Sequence, residues 1–378
     1  MSEQIDLGEF EQNIRQVLAE QLPIKRVHEH VNSDPLIDIR LKETLSNLGW
    51  FGLGIAEEDG GLGLSLDAAG VLYEALGRHL APVPIMPSLV TADVLTKFGT
   101  RAQQQVWGPQ LARGTVLASV SGLSEHEGRD CPLPMLTPFS DSGFVLEGDA
   151  TSFIDGGSAG LFLVRSRLAD GTVRYVLLET PQSGLEVLVR RTVDRTRHLA
   201  DLSIRGVRVT EAAVLPGSAE SINDRLELHL SLAIACDAIG GTEAILDRTI
   251  QYLKVREQFG KIVGSFQALK HRCSNLQLKT VSARIFTRHA LATASAGSPE
   301  GAYLASLAKA SACDAYAQVA ADAVQLHGGI GYTWEHDCHL FLKRAKMNQA
   351  LLGNSEQWLD KASAQLIAAM SASPRGNA

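Results

Sequence analysis

The sequence has few cysteines, and none of them are paired by spacing. Its 378 residues contain five cysteines and no Cys-x-x-Cys pair; they are Cys131, Cys236, Cys273, Cys313 and Cys338. An odd and dispersed set excludes a disulfide framework and a cysteine-based zinc site. We therefore expect reduced, buried thiols and a cytoplasmic protein without a metal site.

The chain also lacks an excess of positive charge and any evident membrane segment. Its formal net charge is -7, which argues against broad binding to nucleic acid or to an anionic membrane surface. The first residues are acidic and lack the apolar region of a secretory signal, and we expect no membrane-spanning run. With 45% hydrophobic and 20% charged residues, the composition is that of an ordinary soluble protein.

The pattern of apolar residues changes twice along the chain. Residues 6–115 carry apolar stripes at helical spacing, for example Phe10, Ile14 and Leu18. Between 116 and 221, β-branched segments alternate with turn signals, and helical patterns return from 222. The predicted strands are 116–120, 143–146, 160–165, 173–178, 185–189 and 201–209. The sequence thus predicts an α+β multidomain fold: a helical domain (1–115), a barrel-like or sandwich β domain (116–221) and a C-terminal four-helix bundle (222–378).

A basic segment follows the first long helix predicted after residue 222. It reads Arg256-Glu-Gln-Phe-Gly-Lys-Ile-Val-Gly-Ser-Phe-Gln267. An Arg at a helix end beside a glycine turn can bind a diphosphate through paired, charge-assisted hydrogen bonds, and Gln258 and Gln267 can reach neutral acceptors. The spacing alone favours the simpler interpretation, a basic helix end followed by an ordinary turn.

A second motif helps to decide whether the basic segment is a diphosphate site or an ordinary turn. It reads Gln325-Leu-His-Gly-Gly-Ile-Gly-Tyr332. The two motifs, in this order and within a helix–strand–helix chain, resemble the acyl-CoA dehydrogenase family over nearly the whole sequence. Weaker similarities lie at 60–63, 123–130 and 153–157. The resemblance favours the diphosphate interpretation of the basic segment.

The resemblance implies FAD bound without a covalent bond at a subunit interface, usually in a dimer of dimers. It implies that one group contacts the diphosphate and adenosine of a neighbouring subunit's FAD, namely Arg256, Gln258, Phe259 and Gln267. A second group approaches the same diphosphate, namely Gln325, Gly328 and Gly329. Asn354 and Glu356 are implied near the adenine or ribose. The β domain is implied to hold the isoalloxazine through Leu123, Ser124, Phe153 and Asp155.

The implied reaction is the α,β-dehydrogenation of an acyl-CoA thioester. In the family, a carboxylate removes a proton from Cα while a hydride leaves Cβ for flavin N5. Such a base needs a dry pocket that tunes its pKa. Electron-transfer flavoprotein is the implied electron acceptor.

The base is where this sequence departs from the family pattern. Leu352 occupies the usual position of the catalytic Glu, and Leu230 occupies the alternative position. Asp237 lies about two helical turns beyond Leu230, among apolar residues, and is the leading candidate base. An ion pair of Asp237 with an Arg or Lys is the alternative. Glu227 is a weaker candidate, and we expect it to be a solvated charge.

The β-domain motif is also altered. The segment Ser124-Glu-His-Glu-Gly-Arg-Asp130 lacks the usual Pro and has Arg129 where Ser is common, while Phe153 replaces Trp and Asp155 replaces Thr. Either this domain binds flavin in its own way, or the chain is half of a heteromeric α2β2 enzyme, similar to those acting on bulky or steroid side-chain acyl-CoAs. A non-catalytic subunit and a flavin oxidase or monooxygenase remain as alternatives. His336 and His339 lie three residues apart, but no accompanying carboxylate–His cluster indicates a metal site.

Overall fold

The computed structural model describes residues 6–122, 133–139 and 143–372. Helices dominate both ends of the chain. The helices before the strands are α1 (Leu7–Gln21), α2 (Ile24–Ser33), α3 (Ile39–Asn47), α4 (Leu66–Arg78), α5 (Ile85–Phe98) and α6 (Arg101–Ala112).

A sheet of seven strands follows. Its strands are β1 (Ala118–Val120), β2 (Met135–Pro138), β3 (Gly143–Ile154), β4 (Leu161–Arg167), β5 (Val173–Glu179), β6 (Leu185–Arg190) and β7 (Leu199–Thr210). Their order is β1-β4-β2-β3-β7-β6. Strands β1 and β2 pair with opposite ends of β4, and β5 pairs with β4 along its full length. The long β3–β7 pair is antiparallel and shifts register between Leu146 and Gly148 and again between Ala150 and Phe153. Such shifts bend and twist a sheet, which gives it a curled form.

The C-terminal region is again helical. It contains α7 (Ala219–Val255), the short strands β8 (Glu257–Gln258) and β9 (Lys261–Ile262), α8 (Gln267–Ser295), α9 (Gly301–His327), α10 (Cys338–Ala350) and α11 (Ser355–Ala372). The predicted order of helices, strands and helices is confirmed. The prediction ended β3 at residue 146, whereas the strand continues because a bulge at Gly148, with φ 132°, absorbs the break in alternation. The two-residue strands β8 and β9 are too short for a sequence pattern to reveal.

By their contacts, the described residues divide into two compact units. The first contains residues up to Val27, Leu66–Ala81 and the chain from Ser231, and the second contains His28–Ser65 and Pro82–Leu230. The three-domain division from the sequence stays a prediction. Within the second unit, the sheet buries an apolar cluster that includes Leu136, Phe153, Phe162 and Ile204.

Within the first unit, α7 is a core helix. By length and composition alone it could span a membrane, contrary to the expectation that no segment would, but 89% of its most apolar window is buried inside the protein. Burial of this kind is typical of the core helix of a soluble protein. The four cysteines that the structure describes are free, and Cys236, Cys313 and Cys338 are buried, as expected.

Glycines allow α4 and α7 to approach closely. A Cβ on Gly77 would lie 2.0 Å from the carbonyl oxygen of Asp237, and one on Gly240 would lie 1.8 Å from that of Glu74. Gly241 faces the ring of Tyr316 on α9 in the same way, at 2.3 Å. The glycines of α7 therefore serve helix packing, and the helices cannot keep this separation if they are replaced.

We expect Gly240→Ala to lower the free energy of unfolding by about 1–3 kcal/mol, because the added methyl group meets backbone and forces α4 and α7 apart. Urea denaturation followed by circular dichroism measures the change. Gly54→Ala is the matched control, since its Cβ would come no closer than 4.0 Å to Leu64 oxygen. Equal stability of the two variants would contradict the close-packing argument.

Candidate functional site

Two loops in the first unit begin at neighbouring helix ends. The β8–β9 hairpin follows α7, and a short turn (Gly328–Tyr332) follows α9. The Tyr252 hydroxyl donates to the carbonyl oxygen of His327 at 3.3 Å, and the two rings stack with centroids 4.4 Å apart. This contact brings together the two motifs that the sequence singled out.

The hairpin turn presents an aromatic ring to solvent. Gln258 pairs with Lys261, so the turn consists of Phe259 and Gly260, with φ of 56° and 71°. Two positive φ angles are typical of the tight turns that suit the twist of a hairpin. The side chain of Phe259 is 92% exposed and meets the edge of Phe266 at 6.4 Å. An exposed aromatic side chain at this tip is available to a ligand or another chain.

The hairpin also carries an uncompensated cation. Arg256 is exposed, and among residues 6–122, 133–139 and 143–372 its guanidinium has no hydrogen-bond or ion-pair partner. Gln258 is exposed and donates to the carbonyl of Glu257, while Gln267 is exposed at the start of α8. The first turn of α8 has no acidic residue, so its free amide groups add positive potential. Around Glu257 the segment has an excess of cations: Lys254, Arg256, Lys261 and Lys270. The arrangement suits an anion.

The turn after α9 leaves an open surface of backbone. Gly328 has φ 64° and ψ -143°, a conformation that side chains strongly disfavour. A Cβ on Gly328 or Gly329 would meet no atom within 4 Å among the described residues, and Gln325 is exposed one turn earlier. A large ligand group can therefore approach this backbone directly. With the cation of Arg256, the residues present fit a diphosphate.

Asn354 and Glu356 lie at the start of α11. Asn354 accepts a hydrogen bond from the backbone of Gln357, and the Gln357 side chain accepts from the backbone of Asn354. This reciprocal pair caps the helix and orders its first turn. Glu356 is exposed. The predicted contact of Asn354 and Glu356 with adenine or ribose stays a prediction.

The structure does not place the described residues predicted to contact the isoalloxazine in an open site. Leu123 and Ser124 lie outside the described residues, as do His126 and Arg129. Phe153 is a core residue, packed edge-on against Phe162 with ring centroids 5.3 Å apart. Its ring is enclosed by the sheet core, which disagrees with an open flavin-contacting position.

Asp155 anchors a turn. It has φ 52°, and its carboxylate accepts a hydrogen bond from the backbone of His198 at 3.1 Å. The carboxylate also lies 3.9 Å from Nε of Arg197 and 3.6 Å from Nδ1 of His198. Its charge is therefore compensated within the second unit. The structure favours a role for Asp155 in holding the end of β3 against the segment before β7.

Asp237 is held in a buried ion pair, the alternative to its predicted role as the catalytic base. Arg344 donates to both of its carboxylate oxygens, at 2.8 and 3.1 Å, and Asn348 donates at 2.7 Å. Asp237 is 1% exposed and Arg344 0%. Because these donors engage the carboxylate and α4 covers its backbone, Asp237 is poorly placed to take a proton from a substrate. The geometry favours the ion-pair alternative.

The sequence interpretation missed Arg344 and Asn348. They lie one turn apart on α10, next to the buried residues Leu340, Phe341 and Ala345. Two polar residues at a spacing of four on the buried face of a helix are a signal for a buried polar partner elsewhere. A buried Arg and Asn would both donate hydrogen bonds to a carboxylate among apolar residues, such as Asp237.

The other candidate positions for a base are also enclosed. Leu230 and Leu352 are buried, and Leu352 has φ 60° while its carbonyl accepts from the indole of Trp358. Glu227 is buried, so the expectation that it is a solvated charge is wrong.

The histidines form a packed cluster that the sequence did not indicate. His327, His336 and Cys338 bring possible ligand atoms within 4.8 Å of one another. However, Nδ1 of His327 lies 2.8 Å from the carbonyl of Ala323, and the Cys338 amide donates to Nδ1 of His336. Burial raises the pKa of the Cys338 thiol to about 12 and lowers the pKa of His327. These hydrogen bonds and the burial favour a structural cluster. His339 instead contacts the carbonyl of Trp334.

Comparison with known proteins agrees with the motifs. Residues 6–115 match the acyl-CoA dehydrogenase N-terminal domain, and residues 228–367 match the acyl-CoA dehydrogenase C-terminal domain. Acyl-CoA dehydrogenase IpdE2 of Mycolicibacterium smegmatis is 33% identical over 85% of this chain and 85% of its own length. The chain belongs to the acyl-CoA dehydrogenase family.

Solved structures show the same fold. Butyryl-CoA dehydrogenase from Megasphaera elsdenii superposes with a TM-score of 0.90 at 23% identity, over 97% of this chain and 100% of that one. The Tcur3481–Tcur3483 steroid acyl-CoA dehydrogenase gives 0.86 at 27% identity, over 97% and 99%. These structures confirm the predicted fold. Acyl-CoA dehydrogenases are flavoprotein oxidoreductases, so membership of the family confirms the predicted enzyme class.

Proposed function

We propose that this protein is one subunit of a heteromeric, FAD-dependent enzyme that dehydrogenates a bulky acyl-CoA thioester between Cα and Cβ. The observation that carries the proposal is Arg256, whose guanidinium has no partner among the described residues, beside the open backbone of Gly328 and Gly329. When bound, FAD supplies the acceptor for the hydride. This chain's residues bind and orient its diphosphate.

The contacts available suit a diphosphate in particular. The planar guanidinium of Arg256 can donate paired hydrogen bonds to phosphate oxygens. The backbone of Gly328 and Gly329 and the side chain of Gln325 offer close approach from the other loop. Gln258 and Gln267 extend the polar surface, and Phe259 offers an apolar face to the adenosine.

The exposed surface around the hairpin supports a subunit contact. Large apolar side chains that are exposed there and along α8 include Val255, Ile262, Leu278 and Ile285. An apolar groove of about 790 Å³ between α7 and α8 continues this surface and is lined by Leu253, Leu269 and Val281, among others. Exposed apolar patches of this kind mark interaction sites. We assign the surface to an acyl-CoA dehydrogenase-like partner, in a dimer of dimers.

The enclosed carboxylate supports the heteromeric assignment. Asp237 is engaged by Arg344, while Leu230 and Leu352 cannot accept a proton. We therefore assign the proton-removing carboxylate to the other subunit, whose flavin this chain completes. The similarity to a steroid acyl-CoA dehydrogenase supports a bulky substrate, which we assign as a steroid side-chain acyl-CoA. Electron-transfer flavoprotein as acceptor and a cytoplasmic location complete the proposal.

Co-purification tests this assignment. We expect the chain expressed alone to be colourless, and to carry FAD only when co-expressed with a second, acyl-CoA dehydrogenase-like subunit. Under anaerobic conditions, a steroid side-chain acyl-CoA should bleach the flavin absorbance of that complex more than butyryl-CoA does.

Two outcomes contradict the proposal. Flavin bound and bleached in the chain alone would show a homomeric enzyme, and absence of flavin from both preparations would remove the FAD assignment. Oxygen uptake with substrate and no added acceptor would instead favour a flavin oxidase or monooxygenase.

A further inference from the structure

The ring of His327 occupies the junction between the two loops. Tyr252 stacks on it at an interplanar angle of 29°, and His336 lies 4.4 Å away, centroid to centroid. Its Nδ1 is 2.8 Å from the carbonyl of Ala323 and 3.4 Å from the sulfur of Cys338. A carbonyl only accepts, so Nδ1 carries the proton and the orientation of the ring is set by its hydrogen bond.

Each partner of the stack lies in the last turn of a helix that leads into one of the loops. The amide of Arg256 donates to the carbonyl of Tyr252 at 2.9 Å, so Tyr252 lies one helical turn before Arg256. His327 directly precedes Gly328. The stack therefore links the helix end that carries Arg256 to the helix end that carries the glycine turn.

The hydroxyl of Tyr252 adds a directional link. Carbonyl groups in the last turn of a helix have no partner within the helix. The carbonyl of His327 is one of these at the end of α9, and Tyr252 donates to it at 3.3 Å. The stack opposes sliding of one helix end past the other, whereas this hydrogen bond opposes their separation.

We propose that Tyr252 and His327 form a positioning clamp, which sets the separation of Arg256 from the Gly328–Gly329 turn and thereby the affinity for the FAD diphosphate. The inference rests on the proposed FAD site. The clamp residues need not touch the flavin. They hold two loops at the spacing at which both can contact one diphosphate, and preorganisation of this kind increases affinity without a new contact.

The test uses the complex of the full chain with its partner subunit, stripped of flavin and titrated with FAD while flavin fluorescence is recorded. We expect Tyr252→Phe, which keeps the ring but loses the hydroxyl, to raise the Kd for FAD about 3- to 10-fold. His327→Leu, which loses the stack as well, should have a larger effect. Tyr303→Phe on α9 is the matched control and should leave the Kd unchanged.

A double-mutant cycle separates positioning from general stability. If the clamp acts by placing Arg256, then Tyr252→Phe should have less effect on the Kd in the Arg256→Ala background than in the wild type. An equal effect in both backgrounds, or a change below twofold in the wild type, would overturn the clamp. Failure of the wild-type complex to bind FAD would overturn the proposed function instead. Urea midpoints of all variants, measured without FAD, show whether a loss of affinity exceeds a loss of stability.

Discussion

Arg344→Met should lower the free energy of unfolding by about 3–5 kcal/mol, because it removes the guanidinium that pairs with the buried carboxylate of Asp237. Asp237 is 1% exposed, and Asn348 donates to the same carboxylate at 2.7 Å. Removing one partner of a buried pair costs more than the pair contributes. Urea denaturation at saturating FAD, followed by circular dichroism, measures the loss.

A surface pair in the same unit provides the control. Arg272 pairs with Asp322 and is largely exposed, so Arg272→Met should change stability by less than about 1 kcal/mol. Replacing both members of the buried pair, as Asp237→Leu with Arg344→Met, should restore much of the stability lost in the single variant.

Asp237→Asn distinguishes the ion pair from a catalytic base. We expect this variant of the complex to be less stable but still bleached by acyl-CoA at a rate near that of the wild type. Unchanged stability with loss of bleaching would instead establish Asp237 as the base and return the proton-removing step to this chain.

Arg256→Ala should weaken FAD binding by about 10- to 100-fold, since a hydrogen bond from a cation to a phosphate contributes about 1.5–3 kcal/mol. The guanidinium has no competing partner among the described residues, so the wild-type side chain is available to the ligand. Its removal should leave stability unchanged in the absence of FAD. Fluorescence titration of the flavin-free complex measures the affinity.

Two further variants refine this result. Arg256→Lys should recover part of the affinity, because an ammonium retains the charge but not the paired geometry. Arg113→Ala removes an exposed Arg of the second unit and should bind FAD like the wild type. If Arg256→Ala also bound FAD normally, the diphosphate would have to be assigned elsewhere.

Much of the fold follows from local pattern. Helix α9, at Gly301–His327, lies where the sequence predicts helices, because its alanine-rich periodicity begins and ends at clear breakers. The same holds for α8, which starts after the Gly264 and Phe266 turn. Strand β2 was missed, since four residues with largely exposed side chains show little alternation.

The sequence by itself determined the order of the elements and the two motifs at Arg256 and Gln325, because periodicity, glycine turns and clustered basic residues are properties of neighbouring residues. Only the tertiary structure shows the contacts of Asp237, Phe153 and Tyr252. Arg344 lies more than a hundred residues from Asp237, and Phe153 meets Phe162 across the sheet core. Whether a carboxylate is a base or half of an ion pair depends on which side chains the fold brings to it, and local sequence does not record that.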